Sequence, residues 1–320
     1  MDSPRGYGLR APTWDDLPAA AEVLAADDLD DAGQVVLDTG FLRGQWERPG
    51  FVLTSDAWVA DDGAGTVLGY GQVTRDELDV AGSWGVVHPA QRGRGIGSAL
   101  LDRIEARALE LVGGEAGARF RHSVNSGDEA AAVLLGARGL RLVRHFWHMR
   151  TDLPAKPDAG RLPKGIDIRR PHMPSDLRAV HAVLDQAFAD QWDYRHQPFE
   201  RWVEDYAQGP SYDPDLWQVA WDEGRPVGAL AAVVRDDNGW VTLLGVLADS
   251  RGRGIAAALL RHVFAAFAVR GVRSVLLVVD AENPTGATAL YESVGMIVAK
   301  RFDIWERTVG ASQRPAREQV

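Results

Sequence analysis

The sequence predicts a mixed α/β protein built from two copies of one domain. Three observations carry that prediction. A short stretch occurs twice: residues 92–97 read Arg-Gly-Arg-Gly-Ile-Gly and residues 251–256 read Arg-Gly-Arg-Gly-Ile-Ala. The spacing between the copies barely changes along the chain. Arg92 and Arg251 are 159 apart, Pro12 and Pro171 are also 159 apart, and Phe146 and Phe302 are 156 apart. The length of 320 residues suits two domains of roughly 150, each large enough to bury its own core.

The repeat predicts a first domain over residues 1–153 and a second over 165–309. The join over 154–164 carries Pro154, Pro157 and Pro163, which interrupt any regular pattern. Residues 310–320 show no apolar periodicity and read as a disordered tail.

The second copy reads element by element. Residues 166–169 form a strand. Residues 176–188 form a helix with Leu177, Val180, Val183, Leu184 and Phe188 on one face. An aromatic and acidic stretch over 190–196 precedes a second helix over 199–208. Paired strands over 217–222 and 226–234 flank the turn Asp222-Glu223-Gly224-Arg225. A strand over 240–247 feeds the glycine turn, and a helix over 256–270 follows it. Residues 274–279 are continuously apolar, as a strand buried on both faces requires. A short helix over 286–294 and a strand over 297–305 close the copy. The result is an antiparallel start followed by a βαβ unit that carries the glycine turn.

Composition excludes several functions. A net charge of −10 argues against a nucleic-acid partner and suits a cationic substrate. The chain has no cysteine, so disulfides, thiolate metal sites and a cysteine nucleophile are excluded. The eight histidines show no ligand spacing with acidic partners, and no metal is expected. No apolar run approaches the ~20 residues of a bilayer span, and the first residues carry no apolar signal core. A cytoplasmic protein, monomeric or homodimeric, is the expectation.

A glycine-rich turn between strand and helix aims free backbone N–H groups at one point, at the positive end of the helix dipole. That is an anion site, most often one for phosphate. A P-loop is excluded, because neither turn contains Lys. A dinucleotide fingerprint fits Gly252, Gly254 and Ala257, but Ser98 breaks the spacing in the first copy.

These residues resemble the acyl-CoA-dependent N-acyltransferases of the GNAT superfamily, whose signature is Gln/Arg-x-x-Gly-x-Gly/Ala. Arg92, Gly95 and Gly97 match it, as do Arg251, Gly254 and Ala256. The resemblance covers nearly the whole chain. It implies two tandem folds, each a mostly antiparallel mixed sheet flanked by helices. The tandem arrangement is similar to that of mycothiol synthases and other double-GNAT proteins. The resemblance also implies that acetyl-CoA is the cofactor. Its pyrophosphate would lie on Arg251, Gly252, Arg253, Gly254, Ile255 and Ala256, and its pantetheine side near Asn283. The strand before the turn, Leu244, Gly245 and Val246, would supply an oxyanion N–H. In the first copy Val87, Arg92, Gly93, Arg94, Gly95, Ile96 and Gly97 are the corresponding binding residues.

The resemblance makes Tyr291 the general acid that protonates the leaving thiolate. Periodicity alone reads the same residue as a core aromatic, since Ala287, Leu290, Tyr291 and Val294 share a helical face. An offset of 156 puts Leu135 opposite Tyr291, so the first copy is expected to be catalytically silent. An ordinary alkyl ammonium is almost fully protonated at neutral pH, so a base or a desolvating pocket must help. Asp190, Asp193, His196 and Asp303 are candidates for that role. The loop of Trp192, Asp193 and Tyr194, with Asp303, is expected to bind the amine by charge and cation–π contact. Trp240 stands near where mycothiol synthases carry Glu, a departure that argues against that activity.

The expectation is an acetyl-CoA-dependent N-acetyltransferase acting on a small-molecule primary amine in its C-terminal domain. A non-catalytic acyl-CoA sensor and a protein N-acetyltransferase are the alternatives.

Overall fold

The computed structural model describes residues 6–208 and 212–309; the expected tail over 310–320 lies outside them. In chain order the elements of the first half are β1 (Gly8–Arg10), α1 (Leu17–Ala32), α2 (Thr39–Trp46), α3 (Leu53–Asp56), β2 (Ala57–Asp61), β3 (Val67–Glu77), β4 (Val80–Val87), α4 (Ile96–Val112), β5 (Arg119–Asn125), α5 (Glu129–Ala137) and β6 (Arg141–Asp152). The second half repeats the plan: β7 (Ile166–Arg169), α6 (Leu177–Phe188), α7 (Phe199–Tyr206), β8 (Gln218–Asp222), β9 (Arg225–Arg235), β10 (Asn238–Val246), α8 (Ile255–Val269), β11 (Ser274–Asp280), α9 (Ala287–Ser293) and β12 (Ile297–Thr308). The fold is the expected mixed α/β class, and the elements expected in the second copy recur within a few residues of their expected bounds.

The chain forms two compact units. Of the described residues, the first comprises 6–46, 50–146 and 300–309, the second 47–49, 147–208 and 212–299. These bounds differ from the expected cut at 153 and 165. Residues Phe302–Thr308 of β12 pair antiparallel with Asn125–Arg119 of β5, so the last strand of the second copy belongs to the first unit. Residues of β6 from Trp147 on belong to the second, where Met149 is fully buried in the core and the Leu153 N–H donates to the Arg273 carbonyl at 2.7 Å. The physical reason is that a terminal strand pairs with whichever free edge accepts its ladder, and a sequence repeat does not specify which copy offers that edge.

Within the first unit β1, β2, β3 and β4 pair antiparallel in sequence order, and β5 runs parallel to β4. One core lies under α4, with Ile104, Phe120 and Leu135 almost fully buried. The second unit has the same order in β7, β8, β9 and β10, with β11 parallel to β10. Its α8 packs Leu259, Leu260, Val263 and Phe267 against the sheet, and α6 covers another part with Val180, Val183 and Leu184.

One detail positions the site. The parallel ladder between β10 and β11 runs only over Asn238–Trp240 against Ser274–Leu276. The register of β10 on β9 slips between Val241 and Leu243, a β-bulge that bends the strand. Beyond the bulge β10 keeps β9 as its partner up to Val246 but has lost β11. In the first unit the ladder of β4 on β5 stops likewise, at Trp84 against Ser123. Each parallel pair thus opens at its C-terminal end, where α/β sheets bind ligands.

Candidate active site

The glycine turns follow the open ends of β10 and β4. In the second unit Gly252 and Gly254 have φ of 76° and 78°, and Gly254 is the N-cap of α8. A side chain at either position would be strained by the left-handed backbone. No heavy atom lies within 4 Å of a Cβ built on either glycine, so both face open space. Among the described residues no protein acceptor meets the N–H groups of residues 252–257 in hydrogen-bond geometry. They converge at the positive end of a 15-residue helix. The first unit repeats this with Gly93 (φ 78°) and Gly95 (φ 81°) before the 17-residue α4. Ile96 and Ile255 are buried and pin each helix start to its core, and Gly97 and Ala256 follow them half-buried.

The arginines of the turns behave differently from expectation. Arg251 donates from Nε to the Val246 carbonyl and from Nη2 to the Ala187 carbonyl, both at 3.1 Å, and lies 3.6 Å from Asp190. Arg253 is 2.6 Å from Asp222, whose carboxylate raises its pKa further. Arg92 is clamped by Asp27 at 2.7 Å and Asp30 at 2.6 Å, and Arg94 reaches Gln91 and the Gly6 carbonyl. All four guanidinium groups have protein acceptors.

The residues expected on the strand lie where the sheet opens. Leu244 and Val246 pack partly buried against the α8 core. Gly245 turns the other way, toward α6. A Cβ there would lie 2.7 Å from Ala187 Cβ and 3.3 Å from Leu184 Cδ2, so only glycine lets α6 approach this closely. In the first unit Val87 ends β4 half-buried, its Cγ2 3.7 Å from a Cβ built on Gly97. Asn283 accepts from the Thr285 N–H at 2.8 Å, a turn that leads into α9. Its amide nitrogen donates to no described residue.

Tyr291 is 8% exposed and packs in the same core as Leu277 and Val279 of β11. Burial pushes its phenol up to about 12. Among the described residues its hydroxyl has no hydrogen-bond partner. Tyr70 is the contrast: its hydroxyl accepts from Trp46 Nε1 and donates to Gln72 Oε1, both at 2.7 Å. Leu135 fills the matching place on α5, 1% exposed and packed with Phe120 of β5.

The loop after α6 holds Trp192, Asp193 and Tyr194. Asp193 adopts φ 53°, a left-handed conformation that Asp tolerates better than most residues. The Tyr194 hydroxyl donates to Asp185 Oδ1, and His196 Nδ1 lies 2.9 Å from the same carboxylate. Burial works to raise the Asp185 pKa, but the hydrogen bonds from Tyr194 and His196 outweigh it and hold the carboxylate below its usual value. Sequence reasoning missed Asp185, because helical periodicity reads it only as a polar position beside the buried stripe of α6. Asp303 does not join this group. It belongs to the first unit, where it bonds Ser126 Oγ at 2.6 Å and His145 Nδ1 at 2.8 Å. Trp240 is 5% exposed in the second unit, beside His148 and Arg235.

A splayed parallel strand pair, a glycine turn with free N–H groups and a buried phenol form a site that suits an anionic, phosphate-bearing ligand. Comparison with known proteins makes the class specific. Residues 180–296 match the acetyltransferase (GNAT) family model, and residues 54–135 match an acetyltransferase (GNAT) domain model. The chain is 31% identical over 312 residues to a mycothiol acetyltransferase of Streptomyces scabiei, covering 90% of this chain and 92% of the relative. It is 35% identical over 222 residues to one from Thermobispora bispora, covering 66% and 70%. The crystal structure of a GCN5-related N-acetyltransferase from Sphaerobacter thermophilus superposes with a TM-score of 0.81 at 30% identity, over 100% of this chain and 99% of that one. A tandem GNAT protein from the clavulanic acid biosynthesis pathway shares the fold, with a TM-score of 0.63 at 18% identity over 96% and 100% of the two chains. The chain belongs to the GNAT family and is an acetyl-transferring enzyme with two GNAT domains. The family uses acetyl-CoA in general. Among the described residues no helix is long and apolar enough to cross a membrane.

Proposed function

We infer that this protein transfers acetyl from acetyl-CoA directly to a primary amine of a small molecule, in the cytoplasm, with the chemistry in its second unit. The observation that carries this reading is the juxtaposition in that unit of an open glycine turn, a strand freed of its parallel neighbour, and Tyr291 with an unengaged hydroxyl.

The residues fit the cofactor. The N–H groups of residues 252–257 would hold the pyrophosphate, with no arginine required. Pantetheine is a chain of amides, and the edge that β10 frees beyond the bulge is a ready ladder for such a chain. Asn283 would use its amide nitrogen on the same arm. A backbone N–H among Leu244 to Val246 would polarise the thioester carbonyl. Tyr291, whose phenol burial keeps protonated, would give its proton to the departing sulfur. Trp192, Asp193 and Tyr194 would form the amine side, and Asp303 is set aside for that role because it lies in the other unit.

The first unit supports this assignment by contrast. Leu135 offers no proton. Asp27 accepts from Arg92 of the turn at 2.7 Å and from Asn125 at the end of β5 at 2.8 Å, so one carboxylate spans the mouth where β4 and β5 part. A second reading, transfer to the acceptor of the mycothiol acetyltransferases, has their similarity in its favour. Buried Trp240, in place of an acid, counts against it.

The test is release of coenzyme A from acetyl-CoA by the purified protein, followed by thiol titration with and without simple primary amines. Amine-dependent release with an acetylated amine as product is expected. Tight acetyl-CoA binding with no release from any amine would favour a sensor instead.

A further inference from the structure

We propose that His196, oriented by Asp185, is the general base that takes the proton from the acceptor ammonium; the proposal rests on the reading of the second unit as an amine acetyltransferase.

Three contacts fix the last turn of α6 and the root of the loop after it against the reacting strand and the glycine turn. The last turn of α6 lies directly on β10, since a Cβ at Gly245 would touch Ala187 and Leu184. Asp185 belongs to that same turn, within ~5 Å of rise along the axis. Arg251 of the glycine turn donates to the Ala187 carbonyl and lies 3.6 Å from Asp190, so the loop that begins at Asp190 is tied to the phosphate site at its root. His196 comes from that loop.

The pair has the arrangement that a base requires. Asp185 holds Nδ1 at 2.9 Å, which fixes the proton there and leaves Nε2 as the acceptor. Nε2 has no partner among the described residues, and the side chain is 67% exposed. Tyr194 donates to Oδ1 of the same carboxylate and helps keep Asp185 anionic. His181 of α6 is a titratable neighbour: its ring centroid is 6.1 Å away and its Nε2 is bonded to the Gln197 carbonyl at 2.9 Å. His181 is thereby committed to the loop backbone, and His196 is not. Trp192 and Asp193 precede His196 by four and three residues, on the side expected to receive a cation.

The step balances. An N–H bond of the ammonium breaks and its proton goes to His196 Nε2. The freed lone pair forms the C–N bond with the thioester carbonyl, and the C–S bond breaks. Two protons leave nitrogen in all: one passes through His196 to solvent, and the other offsets the proton that Tyr291 gives to sulfur. Asp185 is a positioning residue and exchanges no proton.

The experiment compares His196→Gln, Asp185→Asn and the unaltered protein, with acetyl-CoA and two probe amines, benzylamine and glycinamide, across pH 6.5–10. For His196→Gln, kcat/KM for the amine should fall about a hundredfold at pH 7. The deficit should shrink to about threefold or less at pH 10, where the amine sheds its own proton. Asp185→Asn should show a smaller deficit that closes in the same way, and the acetyl-CoA Kd should be unchanged in both. A merely structural role would give a deficit independent of pH. Such a flat deficit, or unimpaired turnover at pH 7, would overturn the proposal while leaving the acetyltransferase reading intact. No amine-dependent release by the unaltered protein would overturn that reading and the proposal together.

Discussion

Tyr291→Phe is expected to lower kcat by about 10²–10³-fold while leaving the acetyl-CoA Kd within about twofold of its original value. The substitution keeps the ring that fills the core and removes only a hydroxyl with no protein partner among the described residues, so the melting temperature should hardly move. Loss of packing is thereby separated from loss of the acid. Burial raises the phenol to about 12, so Tyr291 stays protonated through the working range, and kcat should not decline from loss of the acid below about pH 11. The stability linkage has the same sign. A phenol raised on folding contributes fully below its unfolded value near 10, and that contribution disappears as pH rises through 12. Steady-state rates and calorimetry on the variant check both parts, and a variant with near-normal kcat would remove Tyr291 from the chemistry.

Asp28→Ala is expected to cost the protein about 3–5 kcal/mol of stability, the largest effect for a single substitution outside the second unit. Asp28 is fully buried. Its Oδ1 lies 2.5 Å from Lys300 Nζ, and its Oδ2 accepts the Val36 and Leu37 N–H groups at 2.8 and 2.7 Å. Lys300 is itself 7% exposed and has Asp27 as a more distant partner at 3.6 Å. Removing the carboxylate leaves the buried ammonium to the more distant Asp27 and leaves two buried N–H groups without their acceptor. Replacing both partners, as in Asp28→Leu with Lys300→Met, should recover part of the loss, because it removes the poorly compensated charge but not the two unpaired N–H groups. Urea unfolding of the two variants measures this. A cost below about 1 kcal/mol for Asp28→Ala would show that the pair does not hold β12 to the first unit.

The repeated glycine turn made the architecture legible, since it fixed the number of copies, the site of the phosphate turn and the order of elements around it. Tyr291 and Leu135 also aligned correctly, because both lie on a helix whose place after the fifth strand is set by the repeat. Strand partnership was not legible. β12 reads as the end of the second copy, and only its ladder on β5 shows that Lys300, Asp303 and Trp305 serve the first unit. That is why Asp303, expected on the amine side, sits in the first unit. The partners of the arginines were hidden for another reason: sequence shows a charge but not the group that uses it, and Asp222, Asp27, Asp30 and backbone carbonyls use these. Asp185 was hidden because a half-buried acid on a helix gains meaning only when Tyr194 and His196 fold back onto it.

The central claim is that the second unit does the chemistry and the first does not. Gly254 and Gly95 are matched N-caps with φ of 78° and 81°, so valine meets the same left-handed backbone in both turns. The most direct measurement is amine-dependent coenzyme A release by Gly254→Val and by Gly95→Val. The account predicts that Gly254→Val loses about a hundredfold or more and that Gly95→Val keeps most of its activity. The opposite pattern would move catalysis to the first unit and contradict the account.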